Sequence, residues 1–186
     1  INIYYFNMRF KKLEAIRYNQ KLNGVFKNSQ NSYTERSGYI IKFYFDNFCG
    51  CGEAAPLPCF SKENMKQIEW AVEELKAGLV VDQQYNKEDL FALFEIFSKG
   101  CPSLNFALDV ALCDILSQRK KISLSKYLNK NALHEINFSA IDFENIQPGT
   151  TMKIKFGIND LDKDIKAIND VSRKYFNVSL RIDFNR

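Results

Sequence analysis

The sequence predicts an α+β region over residues 1–133 that passes, over residues 134–186, into the start of a β/α region. Three observations carry this. Two early segments, residues 2–10 (NIYYFNMRF) and 39–46 (YIIKFYFD), have the Tyr, Phe and Ile content of strands. Apolar residues then recur at helical spacing in three runs between residues 61 and 117. From residue 134 the texture changes: short strands over 136–141 (INFSAI), 151–156 (TMKIKF) and 178–184 (VSLRIDF), with one helix between the last two. Strand, helix, strand in that order implies parallel strands joined by a right-handed crossover.

A chain of 186 residues can bury one good core or two small ones. Its 46% hydrophobic and 26% charged residues describe a globular protein. The net charge is +4, and the basic residues are scattered without a run or an aromatic–basic repeat. That is solvated surface, so no nucleic-acid partner is expected. No apolar stretch approaches the roughly 20 residues that cross a bilayer, so no membrane partner is expected either. No basic-then-apolar leader is read at the start. The five cysteines, Cys49, Cys51, Cys59, Cys101 and Cys113, lack CxxC spacing, and the single histidine, His134, is far from them. Reduced thiols in a cytoplasmic protein follow, with His134 on a loop or the surface.

Taken in order, residues 18–37 are rich in Asn, Ser and Gln and contain Gly24, which reads as a long mobile loop between the first two strands. Pro56 and Pro58 forbid a continuing strand or helix, so residues 53–58 read as a turn. Ser61 is the expected N-cap of a helix carrying Ile68, Val72 and Leu75 and ending at Gly78. A second helix spans 86–99, with Leu90, Leu93, Phe94 and Phe97 on one face. Pro102 and Ser103 open a third, carrying Phe106, Val110, Cys113 and Leu116. Asn159 or Asp160 caps the later helix, which bears Leu161, Ile165, Ile168 and Val171.

Candidate chemistry lies on the last two strands. Val178, Leu180, Ile182 and Phe184 share one face and suit a layer of helices. Ser179, Arg181, Asp183 and Asn185 share the other, as do Thr151, Lys153 and Lys155 on the preceding strand. In a β/α barrel that second face points inward, and the strands' C-terminal ends carry catalysis. Lys155 and Asp183 both sit at such ends, about 4.8 Å apart if the strands are adjacent. A plain salt bridge at the strand ends would need the same residues. Two inward lysines beside an aspartate are costly unless the charges are paired or used.

Four motifs in order then carry a resemblance. Thr151-Met152-Lys153-Ile154-Lys155-Phe156-Gly157 is similar to the KxK strand of the enolase superfamily, and Leu180-Arg181-Ile182-Asp183-Phe184-Asn185-Arg186 to its L-R-x-D-x-N-R strand. Gly50-Cys51-Gly52-Glu53-Ala54-Ala55-Pro56-Leu57-Pro58 resembles the GxGEAAPLP loop of its capping domain, and Pro102–Asp109 the helix that follows. The continuation Cys59-Phe60-Ser61-Lys62-Glu63 most resembles the o-succinylbenzoate synthases of the muconate-lactonizing subgroup. The resemblance implies an α+β capping domain followed by the first part of a TIM-like barrel. It implies a lyase that dehydrates a cyclohexadiene carboxylate in menaquinone biosynthesis through a metal-stabilised enolate. Lys155 would be the general base or acid. Lys153 would add positive potential that favours the neutral form of Lys155. Asp183 would be a ligand of Mg²⁺ or another divalent cation, with Asn185 and Arg181 supporting that rim. Gly52, Glu53, Pro56, Leu57 and Pro58 would face the small-molecule carboxylate substrate. A dipeptide epimerase, a muconate-cycloisomerase-like enzyme and a non-catalytic capping module share the same features.

Two departures are local: Cys59 stands where Gly is usual, and Phe184 where a small residue is usual. A larger one is that the superfamily's two further metal carboxylates and its second lysine are not found by Arg186. The barrel is therefore expected to be incomplete in this chain. On its own the chain is expected neither to hold Mg²⁺ tightly nor to turn over substrate, and its open barrel edge could self-associate.

Overall fold

Tyr39, Ile41, Phe43 and Phe45 alternate along one strand and are all buried. They are the seed of the first sheet. The computed structural model describes residues 7–27, 31–136, 139–140, 150–157, 160–175 and 177–184. Their contacts divide the chain into two compact units, Ile1–Phe26 with Ser32–Ala132, and Leu133–Arg186 with Lys27–Asn31.

The first unit contains a four-stranded sheet of β1 (Met8–Lys27), β2 (Ser32–Phe45), β3 (Phe48–Ala54) and β4 (Gln84–Tyr85), ordered β3-β2-β1-β4. Strands β2 and β3 pair antiparallel from Tyr39↔Ala54 to Phe45↔Phe48. The turn between them is tight, and Asp46 takes a left-handed conformation there (φ 49°). Strand β4 pairs antiparallel with the start of β1, Met8 opposite Tyr85.

Four helices belong to this unit: α1 (Met65–Gly78), α2 (Lys87–Phe97), α3 (Pro102–Lys120) and α4 (Leu124–Leu128). Ile68, Val72 and Leu75 of α1 and Leu90 and Phe94 of α2 are buried in one core with the inner face of the sheet. Rings form its centre, with Phe43 5.3 Å from Phe94 and Phe10 5.5 Å from Phe45, centroid to centroid. Each such pair adds about 0.5–1.5 kcal/mol beyond area burial.

Helix α3 lies against β3 at backbone distance. A Cβ on Gly52 would stand 1.9 Å from the Ala107 carbonyl oxygen, and one on Gly50 2.0 Å from that of Ala111. Glycine on the strand and alanine on the helix let the two backbones touch. The same helix covers the sheet's edge. Asp114 accepts from the Cys51 amide at 3.2 Å and Gln118 donates to the Cys49 carbonyl at 2.8 Å, so side chains one helical turn apart satisfy edge groups two residues apart.

The start of α3 is capped from far away in sequence. Its N-cap residue, Cys101, makes no side-chain cap bond, and Pro102 holds the first position. The buried Glu63 accepts from the Ser103 amide at 2.8 Å instead. Burial pushes the Glu63 carboxyl up, but its contacts with Ser103 outweigh this and hold it below the usual value.

The second unit holds a parallel sheet, β5 (Ser139–Ala140), β6 (Thr151–Lys155) and β7 (Ser179–Asp183), with helix α5 (Leu161–Lys174) between β6 and β7. Thus the last two strands are parallel, as the order of elements predicts. Of the strand expected over 136–141, residues 137–138 and 141 lie outside the described residues, as do residues 1–6 of the expected first strand.

Several expectations are corrected. Most of residues 18–37 are not a loop but the far ends of β1 and β2. Cross-strand contacts run in opposite senses along this arm: Asn19 with Glu35 and Ser37, Glu14 with Tyr44. Polar pairs and ladder bonds hold it, so it has no apolar alternation to read. Ser61 is not the α1 N-cap. Asn64 is, in a reciprocal capping box with Gln67, while the Ser61 hydroxyl accepts from the Leu57 amide. Phe106 is exposed, because α3 turns Leu104, Ala107, Leu108, Ala111, Leu112 and Ile115 to the core. In α5, Leu161 and Ile165 are exposed and Asp164 is the buried residue. Gly52 and Glu53 belong to β3, not to the turn, which begins after Ala54.

Two tests follow. Gly52→Ala should destabilise the chain by about 1–3 kcal/mol or more, the cost of overpacking a filled site. Gly24→Ala, where a Cβ meets nothing within 4 Å, should stay within about 0.5 kcal/mol. Equal urea midpoints for the two variants would refute the close-approach argument. For Glu63 the folded value is depressed, so its contribution is fully present above the unfolded carboxylate value and is lost as pH falls through the folded one. Wild type should lose stability relative to Glu63→Gln in that acidic window, and parallel pH profiles would remove Glu63 as the cap.

Candidate active site

The second unit brings four charged side chains onto one face. In a parallel pair, register partners point the same way, and Lys153 stands opposite Arg181, Lys155 opposite Asp183. Met152 and Ile154 alternate to the other face and are buried. Phe156 and Phe184 follow the same alternation, with ring centroids 4.8 Å apart. The split is the one expected from periodicity.

Lys153 carries a short bridge to Asp183, Nζ to Oδ2 at 2.7 Å. The lysine reaches diagonally along the strand, which its four-carbon stem allows. Both partners are about one-third exposed, at 39% and 34%, so the pair contributes at most about 1 kcal/mol. The bridge alone does little to fix Asp183. Its backbone is firmer, since the Phe156 amide donates to the Asp183 carbonyl at 2.8 Å.

The turn leaving β6 is fixed by a different carboxylate. Gly157 has φ 81°, where a side chain would be strained, and its amide donates to Asp164 Oδ2 at 2.6 Å. Asp160 caps α5 through the Lys163 amide at 3.0 Å. Strand end and helix start are thus joined beside Lys155. Arg181 is exposed on the same face as Asp183, and Asn185 lies outside the described residues.

Among the described residues no three His, Cys, Asp or Glu side chains converge. A Mg²⁺ ion sheds its waters only where several oxygens converge, and Asp183 with a lysine on its carboxylate supplies one. The described residues do not by themselves make a metal centre.

The first unit holds the Gly52–Pro58 segment. Pro56 and Pro58 border an open cavity of about 630 Å³ that is also lined by Arg17, Lys62 and Lys66. The segment is gripped by residues that the loop reading of 18–37 missed. Arg36 donates to the carbonyls of Ala55 and, at 3.1 Å, Pro56, and Tyr33 to that of Pro58 at 2.9 Å. Tyr18 donates to Glu53. No local pattern flags these residues, because their partners are 19–35 positions away.

Residues 10–115 match the family described as MenC, N-terminal domain. The chain belongs to that family. The α+β unit is accordingly the capping domain of the enolase superfamily, followed by the beginning of the barrel. The chain is 25% identical over 182 residues to an L-Ala-D/L-Glu epimerase of Francisella tularensis subsp. novicida, covering 89% of this chain and 50% of the relative. It is 26% identical over 197 residues to the L-Ala-D/L-Glu epimerase of Bacillus subtilis, covering 96% and 53%. The chain thus spans about half the length of the curated relatives it matches. A dipeptide epimerase from Methylococcus capsulatus, solved with Mg and the dipeptide L-Arg-D-Lys, superposes with a TM-score of 0.79 at 17% identity, over 94% of this chain and 53% of that one. At that identity the likeness is one of fold. Among the described residues no helix is long and apolar enough to cross a membrane.

The site analysis predicts unequal costs. Lys153→Met should cost less than about 1 kcal/mol, as partly exposed ion pairs do. Asp164→Ala should cost about 1–3 kcal/mol by leaving the Gly157 amide without its acceptor. Circular dichroism during urea denaturation would measure both, and a larger loss for Lys153→Met would reverse the assignment of the structural carboxylate.

Proposed function

We propose that the whole protein is an o-succinylbenzoate synthase-like lyase, in which residues 1–133 form the capping domain and residues 134–186 the first barrel strands. The observation that carries this reading is the MenC N-terminal match over residues 10–115, together with the one-sided arrangement of Lys153, Lys155, Arg181 and Asp183.

The step begins at Lys155. Its amine takes the proton from the carbon beside the substrate carboxylate, and the C–H electrons move into that carboxylate as an enolate. The enolate electrons return to form the ring double bond, and the hydroxyl on the adjacent carbon leaves with its bonding pair. The proton on Lys155 joins it, so water departs and the books of atoms and charge close. Lys153 keeps positive potential beside Lys155 and pairs with Asp183. Arg181 adds a second cation on the same face. A divalent cation, Mg²⁺ by analogy with the Methylococcus capsulatus structure, would stabilise the enolate charge, with Asp183 as one oxygen ligand. The Gly52–Pro58 segment would face the substrate, and the cationic rim of Arg17, Lys62 and Lys66 suits an acid.

A second reading has its own support. Both curated relatives are L-Ala-D/L-Glu epimerases. Epimerisation starts with the same proton removal, but the enolate is reprotonated on its opposite face and nothing leaves. The full-length protein should be assayed with Mg²⁺ on the cyclohexadiene carboxylate precursor and on L-Ala-L-Glu. Formation of o-succinylbenzoate supports the lyase, and deuterium uptake from D₂O at the dipeptide α-carbon without it would replace the lyase by the epimerase. Lys155→Ala should lower either rate by about 10²–10⁴-fold, the usual worth of a general base. Near-wild-type turnover by that variant would remove Lys155 from the mechanism.

A further inference from the structure

Side chains of the hairpin arm tie it to the segment leaving β3. The Arg36 guanidinium spans two successive carbonyls, Ala55 and Pro56. Three residues before it, Tyr33 holds the Pro58 carbonyl at 2.9 Å. The segment needs such donors. Pro56 and Pro58 have no amide hydrogen, and no helix or strand takes up these three carbonyls.

A third contact comes from β1. The Tyr18 ring lies across β2 at Gly38, where a Cβ would come within 2.6 Å of its hydroxyl. That passage lets Tyr18 donate to Glu53, next to the start of the segment. Burial and this hydrogen bond push the Tyr18 hydroxyl up to about 12, so it stays a donor through neutral pH. Beyond the grip, the segment closes on itself: Leu57 donates to the Ser61 hydroxyl at 2.9 Å, and Phe60 and Ser61 donate to the Leu57 carbonyl at 3.1 and 2.8 Å.

We propose that Arg36 is a positioning residue that, with Tyr33 and Tyr18, latches the hairpin arm to Ala55–Pro58 so that arm and segment move as one body. Its consequence for catalysis rests on the reading above, in which this segment faces the substrate. Arg36 acts through the segment and touches no reacting atom. A lysine cannot replace it, because a point charge on a flexible stem does not bridge two carbonyls as a planar fork does.

The test uses hydrogen exchange on this chain, read at the amides of Leu57, Phe60 and Ser61, with the α3 amides as internal reference. Arg36→Met should speed exchange at all three by about tenfold or more, the scale of losing a charge-assisted hydrogen bond. Arg36→Lys should restore only part of the protection, and Tyr33→Phe should give a smaller acceleration. Unchanged exchange in a folded Arg36→Met chain overturns the latch. If that variant fails to fold, Arg36→Lys and Tyr33→Phe decide, and unchanged exchange in both overturns it equally. In the full-length enzyme Arg36→Met should raise KM several-fold while kcat stays within about twofold, the pattern of lost uniform binding. Faster exchange with KM unchanged supports the latch and overturns only the segment's part in substrate binding.

Discussion

Helix α3 can rest on β3 only because Gly50 and Gly52 carry no side chain. That contact sets much of the first unit. It buries Leu104, Leu108, Leu112 and Ile115 against the sheet, and it brings Asp114 and Gln118 over the open edge of β3. An edge strand with bare amides and carbonyls is a pairing hazard, and here the core helix that packs on it also closes it. Glu63 then fixes the start of that helix, so the residues just before α1 and the start of α3 are held together by one buried carboxylate.

Because β3 is held on one side by α3 and on the other by β2, the chain leaves Ala54 from a fixed point. The segment that follows contains two prolines and cannot satisfy itself through a ladder. Donors from the hairpin arm take its carbonyls. The described residues of 18–37 include none that is buried, so hydrophobic burial does little to order the arm. Cross-strand polar pairs and backbone bonds do so instead, which makes it the natural place in the unit for small, local changes of conformation.

The second unit rests on a different balance. Met152 and Ile154 are buried beneath β6 while Lys153 and Lys155 occupy its other face; β7 repeats the alternation of apolar and charged residues in register, but its Leu180 is half-buried and its Ile182 exposed. The Lys153–Asp183 bridge contributes little stability. The site's geometry comes from the ladder, from the Gly157–Asp164 bond and from the buried face. Charges arranged on a scaffold that does not need them can be used for binding and proton transfer.

Periodicity alone determined helices α1, α2, α3 and α5, the parallel sense of β6 and β7, and the face shared by Lys153, Lys155, Arg181 and Asp183, but not β3, β4 or α4. Each is a repeat of two or about 3.6 residues, or a crossover rule, and such patterns are local. The motifs added the family for the same reason, since they are short runs of consecutive residues. Only the tertiary structure decided the rest. It replaced the expected loop over 18–37 by a two-stranded arm, because a strand without a buried face leaves no alternation in the chain. It moved the α1 cap from Ser61 to Asn64, because Ser61 is used by the turn at Leu57. It turned Phe106 outward and Ala107 inward, because the glycines that select the inward face of α3 are on another strand. It joined Lys153 to Asp183, because a long side chain reaches past its register partner. In the last two cases the deciding partner lies elsewhere in the sequence, and distance along the chain carries no information about it until the fold brings the groups together.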